Sequence, residues 1–185
     1  MEACPLKSNT HLIYHTDNLA VDTNLYYIYT GRQELGLSEL ETAVELNPND
    51  ADVLADYGYY VGYLGKAEEG LEFALKAMRL NPHHPEYYLW QLGQIYHEAR
   101  QYKKAIAALE SLRSIETTVA LLYLAASHAA SGNTGEACKV VERILELDPQ
   151  AAIQRRTGAR MAPYKNSQDL EHFRENLSKA GLRDF

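Results

Sequence analysis

Ala43-Val44-Glu45-Leu46-Asn47-Pro48 returns in the same build at Ala77-Met78-Arg79-Leu80-Asn81-Pro82 and again at Ile144-Leu145-Glu146-Leu147-Asp148-Pro149. The first two prolines stand 34 residues apart, and the third lies 67 beyond the second, one short of two such periods. Proline lacks an amide hydrogen and pushes the residue before it out of the α region, so each motif marks a helix end. Two further landmarks keep the same spacing. Gly58, Gly93 and Ala125 follow Tyr57, Leu92 and Leu124 near the middle of apolar-periodic stretches. Gly31, Gly65 and Gly132 stand where one helix must stop before the next begins, the place for a left-handed C-terminal cap.

Working outward from these marks, the periodicity predicts four helix pairs, at about 17–30 with 33–46, 51–64 with 67–80, 86–99 with 102–114, and 118–131 with 134–147. The units so defined are 17–50, 51–85, 86–117 and 118–150, preceded by an arm over 1–16. A basic tail, 151–185, holds a last helix at about 167–179, which opens at Asn166 or Ser167 and stops at Gly181. Leu170, Phe173 and Leu177 share one face of it and are expected to cover the apolar end of the last unit. The predicted fold class is all-α, a right-handed solenoid of four helix pairs with a C-terminal capping helix.

Composition narrows the functional classes. Apolar residues make up 46% of the 185 and charged residues 23%, ordinary for a folded soluble chain. No apolar stretch reaches the length of a membrane span, and Met1-Glu2-Ala3-Cys4-Pro5 lacks the basic start of a signal peptide. Cys4 and Cys138 match no metal or redox spacing, so a reducing cytoplasm is the expected location. Residues 1–150 carry 11 basic against 21 acidic side chains, and 151–185 carry 7 against 4. An acidic body argues against nucleic acid, whose phosphates call for clustered Lys and Arg. The basic tail is expected to rest on that body or in solvent.

With its period and its small residues in mid-helix, the sequence resembles the tetratricopeptide repeat family over about 17–149. The third unit gives Leu89, Leu92, Gly93, Tyr96, Ala105, Leu109 and Leu112 at the family's pattern positions, and the fourth gives Leu121, Leu124, Ala125, His128, Ala137, Val141 and Ile144. The second matches with Leu54, Tyr57, Gly58, Val61, Gly70, Ala74 and Ala77. The first departs from the pattern at Ala20, Thr23 and Asn24, then recovers with Gly36, Leu40 and Ala43. Small residues at positions 8 and 20 face each other where two helices pack closely. The run from Leu46 to Gly58, with Ala162-Pro163-Tyr164-Lys165-Asn166 and Asp169-Leu170-Glu171-His172-Phe173, is further similar to the C-terminal repeat region of bacterial class III nucleotidyl cyclases and winged-helix regulators.

No phosphate loop, dinucleotide fingerprint, nucleophile elbow or zinc-protease helix is present, so neither catalysis nor a cofactor is expected. His11 and His15 have helical metal spacing but no further ligand in register, and His83 and His84 read as solvated turn residues. His128 is read as a packing residue, and Cys138 as a small hydrophobe beside Ala137.

The 14 tyrosines against 3 phenylalanines call for another account. Tyr57, Tyr96 and Tyr102 fill packing slots of the repeat. In this family, positions 2, 5, 9 and 12 or 13 of each first helix line the concave groove. The resemblance therefore assigns that surface to Tyr59, Tyr63, Tyr87, Trp90, Gln94, His97 and Leu122, rimmed by Asp52, Asp56, Glu86 and Glu98. Aromatic bodies with polar edges suit recognition, because they bury a large area for little rotamer entropy. Two occupants fit such a groove: the chain's own tail, or a separate protein or peptide segment with apolar anchors and basic edges. The basic carboxylate clamp of chaperone-binding repeats is missing, since Val21, Leu25, Asp56, Tyr87 and Gln91 stand at its positions. The functional expectation is a non-catalytic protein-interaction module. The alternative is the regulatory repeat region of a bacterial signalling enzyme or transcription regulator.

Overall fold

A computed structural model describes residues 32–113, 117–147 and 164–182. The predicted helix 17–30, the arm with His11 and His15, and the third proline of the motif lie outside the described residues. Eight helices are described: α1 Gln33–Leu46, α2 Ala51–Tyr63, α3 Ala67–Leu80, α4 Glu86–Glu98, α5 Tyr102–Glu110, α6 Thr118–Ala130, α7 Thr134–Leu147 and α8 Ser167–Lys179. Among the described residues there is no strand. The chain is an all-α solenoid in which α2/α3, α4/α5 and α6/α7 are antiparallel pairs, and successive first helices α2, α4 and α6 pack side by side.

Local chemistry sets the helix ends. Asp50 caps α2 by accepting the amides of Asp52 and Val53 at 3.1 and 3.2 Å. Asn166 does the same for α8 through the Gln168 amide at 3.0 Å. The turns inside the pairs need one residue at positive φ. Gly65 (84°) and Gly132 (82°) supply it in two of them, and Arg100 (59°) in the third. α5 ends at Glu110, short of the predicted 114, where the Ser111 hydroxyl bonds back to the Ala108 carbonyl at 2.6 Å.

The predicted close contact between paired helices is present. A Cβ on Gly58 would sit 2.6 Å from the Gly70 carbonyl oxygen, so α2 and α3 touch backbone to backbone. At Gly93 the neighbour is instead the Leu109 side chain, 2.5 Å from an added Cβ, with Ala105 fully buried beside it. Leu109, Leu121, Leu124, Ala125, Ala137, Val141 and Ile144 form the core of the last pairs, and Phe173, Leu177 and Leu182 of the C-terminal segment join it. α8 packs chiefly on α6, the first helix of the last pair. Phe173 and Leu177 are fully buried there, while Leu170 is half-buried. Cys138 differs from expectation. It is exposed, because on α7 it falls on the solvent side of the stripe marked by Ala137, Val141 and Ile144.

Candidate functional site

The face built from α2, α4 and α6 follows from one spacing rule: equivalent positions of successive first helices stand side by side. Asp56 and Gln91, both sixth in their units, meet through Gln91 Nε2 donating to Asp56 Oδ1 at 2.8 Å. Asp52 receives two phenols of α4, Tyr87 at 2.8 Å and Tyr88 at 2.5 Å. Asp56 is buried, and burial pushes its carboxyl up to about 6. The Gln91 bond opposes that rise, and the nearby Asp52 and Asp50 add to it.

The seven residues assigned from sequence fall into three settings on this face. Tyr59, Tyr63, Trp90 and Gln94 come together. The Tyr59 ring lies 4.9 Å from Tyr63 and 5.3 Å from Trp90, and the Tyr63 hydroxyl donates to Gln94 Oε1 at 3.2 Å. Tyr87 belongs to the Asp52 cluster and remains partly exposed, as does Trp90. Tyr59, Tyr63, Gln94, His97 and Leu122 are buried, with Gln94 only 1% exposed and His97 0%. The expectation at these five was a groove surface covered either by the chain's own tail or by a separate partner. They are packed, His97 and Leu122 within the same body of contacts that receives the C-terminal segment.

Part of the covering comes from residues the sequence reading did not place here. Tyr164 enters the face ahead of α8. Its ring stands 5.4 Å from Tyr63, and its hydroxyl lies 2.7 Å from that of Tyr123 and donates to Glu98 Oε1 at 2.6 Å. Phe173 packs against Tyr123 at 4.6 Å and against His97 at 5.5 Å. Tyr102 reaches the tail as well, 2.8 Å from His172 Nε2. Arg100 Nη2 donates to Asp169 Oδ1 at 2.7 Å. The N-terminal end of the segment lies beside the α2–α3 turn, where an added Cβ on Gly65 would be 3.7 Å from Asp169 Oδ2. At the other end, a Cβ on Gly181 would be 4.0 Å from Cys138 Sγ. The segment therefore runs from the α2–α3 turn past the α4–α5 turn to the start of α7. The signal that could have found Arg100 is its register, since it occupies the turn position that glycine holds in the units before and after.

Burial dominates the titration of this region. Glu98 is pushed up to about 8 by burial, partly offset by its bond from Tyr164. His97 is lowered to about 3 by burial, with His172 and Arg100 adding to the effect. Its Nδ1 is 2.9 Å from Ser127 Oγ. His128 is buried as well, its Nε2 3.4 Å from Glu110 Oε1. Among the described residues, no group of three or more His, Cys, Asp or Glu could hold a metal ion, and no helix is long and apolar enough to cross a membrane.

Comparison with known proteins gives the same architecture. Residues 87–115 and 119–151 match the sequence model of the Tetratricopeptide repeat family. No curated protein sequence matches the chain. Among solved structures, a MamA protein from Desulfovibrio magneticus RS-1 has a TM-score of 0.58 at 18% identity, covering 91% of this chain and 97% of that one. YrrB, described as a TPR protein with an unusual peptide-binding site, has a TM-score of 0.56 at 20% identity, covering 94% and 91%. PilF of Pseudomonas aeruginosa has a TM-score of 0.59 at 16% identity, covering 89% and 76%. These matches carry the repeat architecture and not the finer resemblance to nucleotidyl cyclases or winged-helix regulators. The segments 87–115 and 119–151 thus resemble tetratricopeptide repeats, and the chain has the fold of tetratricopeptide-repeat solenoids.

Proposed function

We propose that this chain is a non-catalytic protein-interaction module that takes a peptide or helix of another protein on the face of α2, α4 and α6. The observation that carries this reading is the partial exposure of two aromatic side chains of α4, Tyr87, whose hydroxyl donates to Asp52, and Trp90, whose ring packs against Tyr59. Aromatic groups that keep some exposure next to acid suit a partner with an apolar anchor and Lys or Arg at its edge. Trp90 also packs against both main bodies of apolar contacts. The peptide-binding site in YrrB's description is in keeping with this use of the fold.

A photo-crosslinking residue at position 87 of the full chain, expressed in its native cell, tests the reading. It should trap one or a few partners, and Trp90→Ala should abolish the capture while Lys103→Ala leaves it intact. Truncating a central aromatic anchor costs about 2 kcal/mol or more, about thirtyfold in affinity. The fluorescence of Trp90, the only tryptophan, should shift when the trapped partner is added back. Capture that is indifferent to Trp90→Ala would count against this face.

A further inference from the structure

The C-terminal segment 164–182 is held on the repeats by its side chains. Among the described residues its backbone hydrogen bonds close within the segment itself, such as Leu170 to Asn166 and Leu182 to Leu177. Side chains make the attachment. The Tyr164 phenol sits on Glu98 and Tyr123, the Phe173 and Leu177 side chains are fully buried one helical turn apart, and the Asp169 carboxylate meets Arg100. A phenol, an apolar pair and one charge are what an amphipathic helix offers to a groove.

Arg100 supplies an independent observation. Among the described residues it is the only non-glycine at positive φ, at 59°, in a turn whose counterparts in neighbouring units are Gly65 and Gly132. A side chain in the left-handed region is disfavoured, and glycine would remove that penalty. What arginine adds at this position is the bond to Asp169. Strain that persists because a side chain is needed is a recognised mark of a binding contact.

We propose that residues 164–182 are an exchangeable internal ligand of the first-helix face, and that the external partner of this face is an amphipathic helix of the same chemistry. Such a helix carries a tyrosine ahead of its N-cap, an acid in the first turn, and an aromatic and an aliphatic residue four apart. This inference rests on the reading above that the face binds a partner segment, and it names the class of that segment.

The test uses the full chain with a specific protease sequence placed within 152–158 and cut after folding. A labelled synthetic peptide of residues 160–185 is added in excess, and its incorporation is followed by anisotropy and gel filtration. The peptide should replace the resident segment saturably, and a Phe173→Ala peptide should bind about thirtyfold more weakly. Arg100→Gly in the body should speed exchange several-fold without lowering the melting temperature of the uncut chain. The proposal is overturned if no exchange occurs within a day while the cut chain keeps its helical signal. A scrambled peptide entering equally well, or loss of helical structure as the segment leaves, overturns it too. Exchange without any partner captured from position 87 would sink the functional reading, and with it the external helix, while leaving the internal exchange standing, so the two failures are distinguishable.

Discussion

His97 and Glu98 are adjacent in sequence, and burial drives their titration in opposite directions because one is neutral and the other charged when deprotonated. The Glu98 carboxyl stands at about 8, above its ordinary value of 4.5, so its contribution to stability is fully present below 4.5 and lost as pH rises to 8. His97 stands at about 3, below 6.5, so its contribution is present above 6.5 and lost as pH falls toward 3. Asp56, raised to about 6, behaves like Glu98 but finishes its loss lower. The window from pH 6.5 to 8 therefore isolates Glu98. Wild type should lose denaturation midpoint across that window, and Glu98→Gln should flatten the slope. An unchanged slope in the variant would show that Glu98 is not held neutral beneath Tyr164. None of this was legible in the sequence, where Glu98 reads as a rim acid, because its burial depends on Tyr164, 66 residues away.

At the scale of helices and pairs, local signals carried more. Proline and glycine act on their own backbone and immediate neighbours, so Pro82, Gly65, Gly132 and Gly181 mark chain punctuation wherever the fold places them. The small residues in mid-helix were legible for a related reason: two helices at close range leave no room for a Cβ, whatever else surrounds them. Gly93→Leu and Ala105→Leu should therefore each overpack α4 against α5 and cost about 1–3 kcal/mol. Thermal or denaturant melts check this, and two unchanged melts would break the assigned register of the third unit. Cys138 shows where element-scale reasoning failed. Its neighbour Ala137 is buried, but a helix turns about 100° per residue, so adjacency says nothing about the face.

Over the whole molecule the decisive event is the return of the C-terminal segment onto the face of α2, α4 and α6. It joins Phe173, Leu177 and Leu182 to the packing of the last two pairs and places Tyr164 between Tyr63, Glu98 and Tyr123. Deleting residues 164–185 should uncover Tyr63, His97 and Tyr123 together and produce concentration-dependent association, measurable by light scattering. A truncated chain that stays monodisperse with the melting temperature of the full chain would show that the segment contributes nothing to the stack.

What the sequence determined by itself was whatever depends on short separations: the helical periodicity, the stops at proline and glycine, the small residues of the paired helices, and from these the repeat and the solenoid. It also put Tyr59, Tyr63, Trp90 and Gln94 on a common face, because equivalent positions of stacked repeats must align. Only the tertiary structure decided which of those side chains stay accessible and what covers the others. That Arg100 meets Asp169, Tyr102 meets His172 and Glu98 meets Tyr164 depends on where a segment about 70 residues downstream comes to rest. Its resting place follows from the fit of Phe173 and Leu177 to a surface assembled by two repeats, a surface that no local stretch of sequence contains.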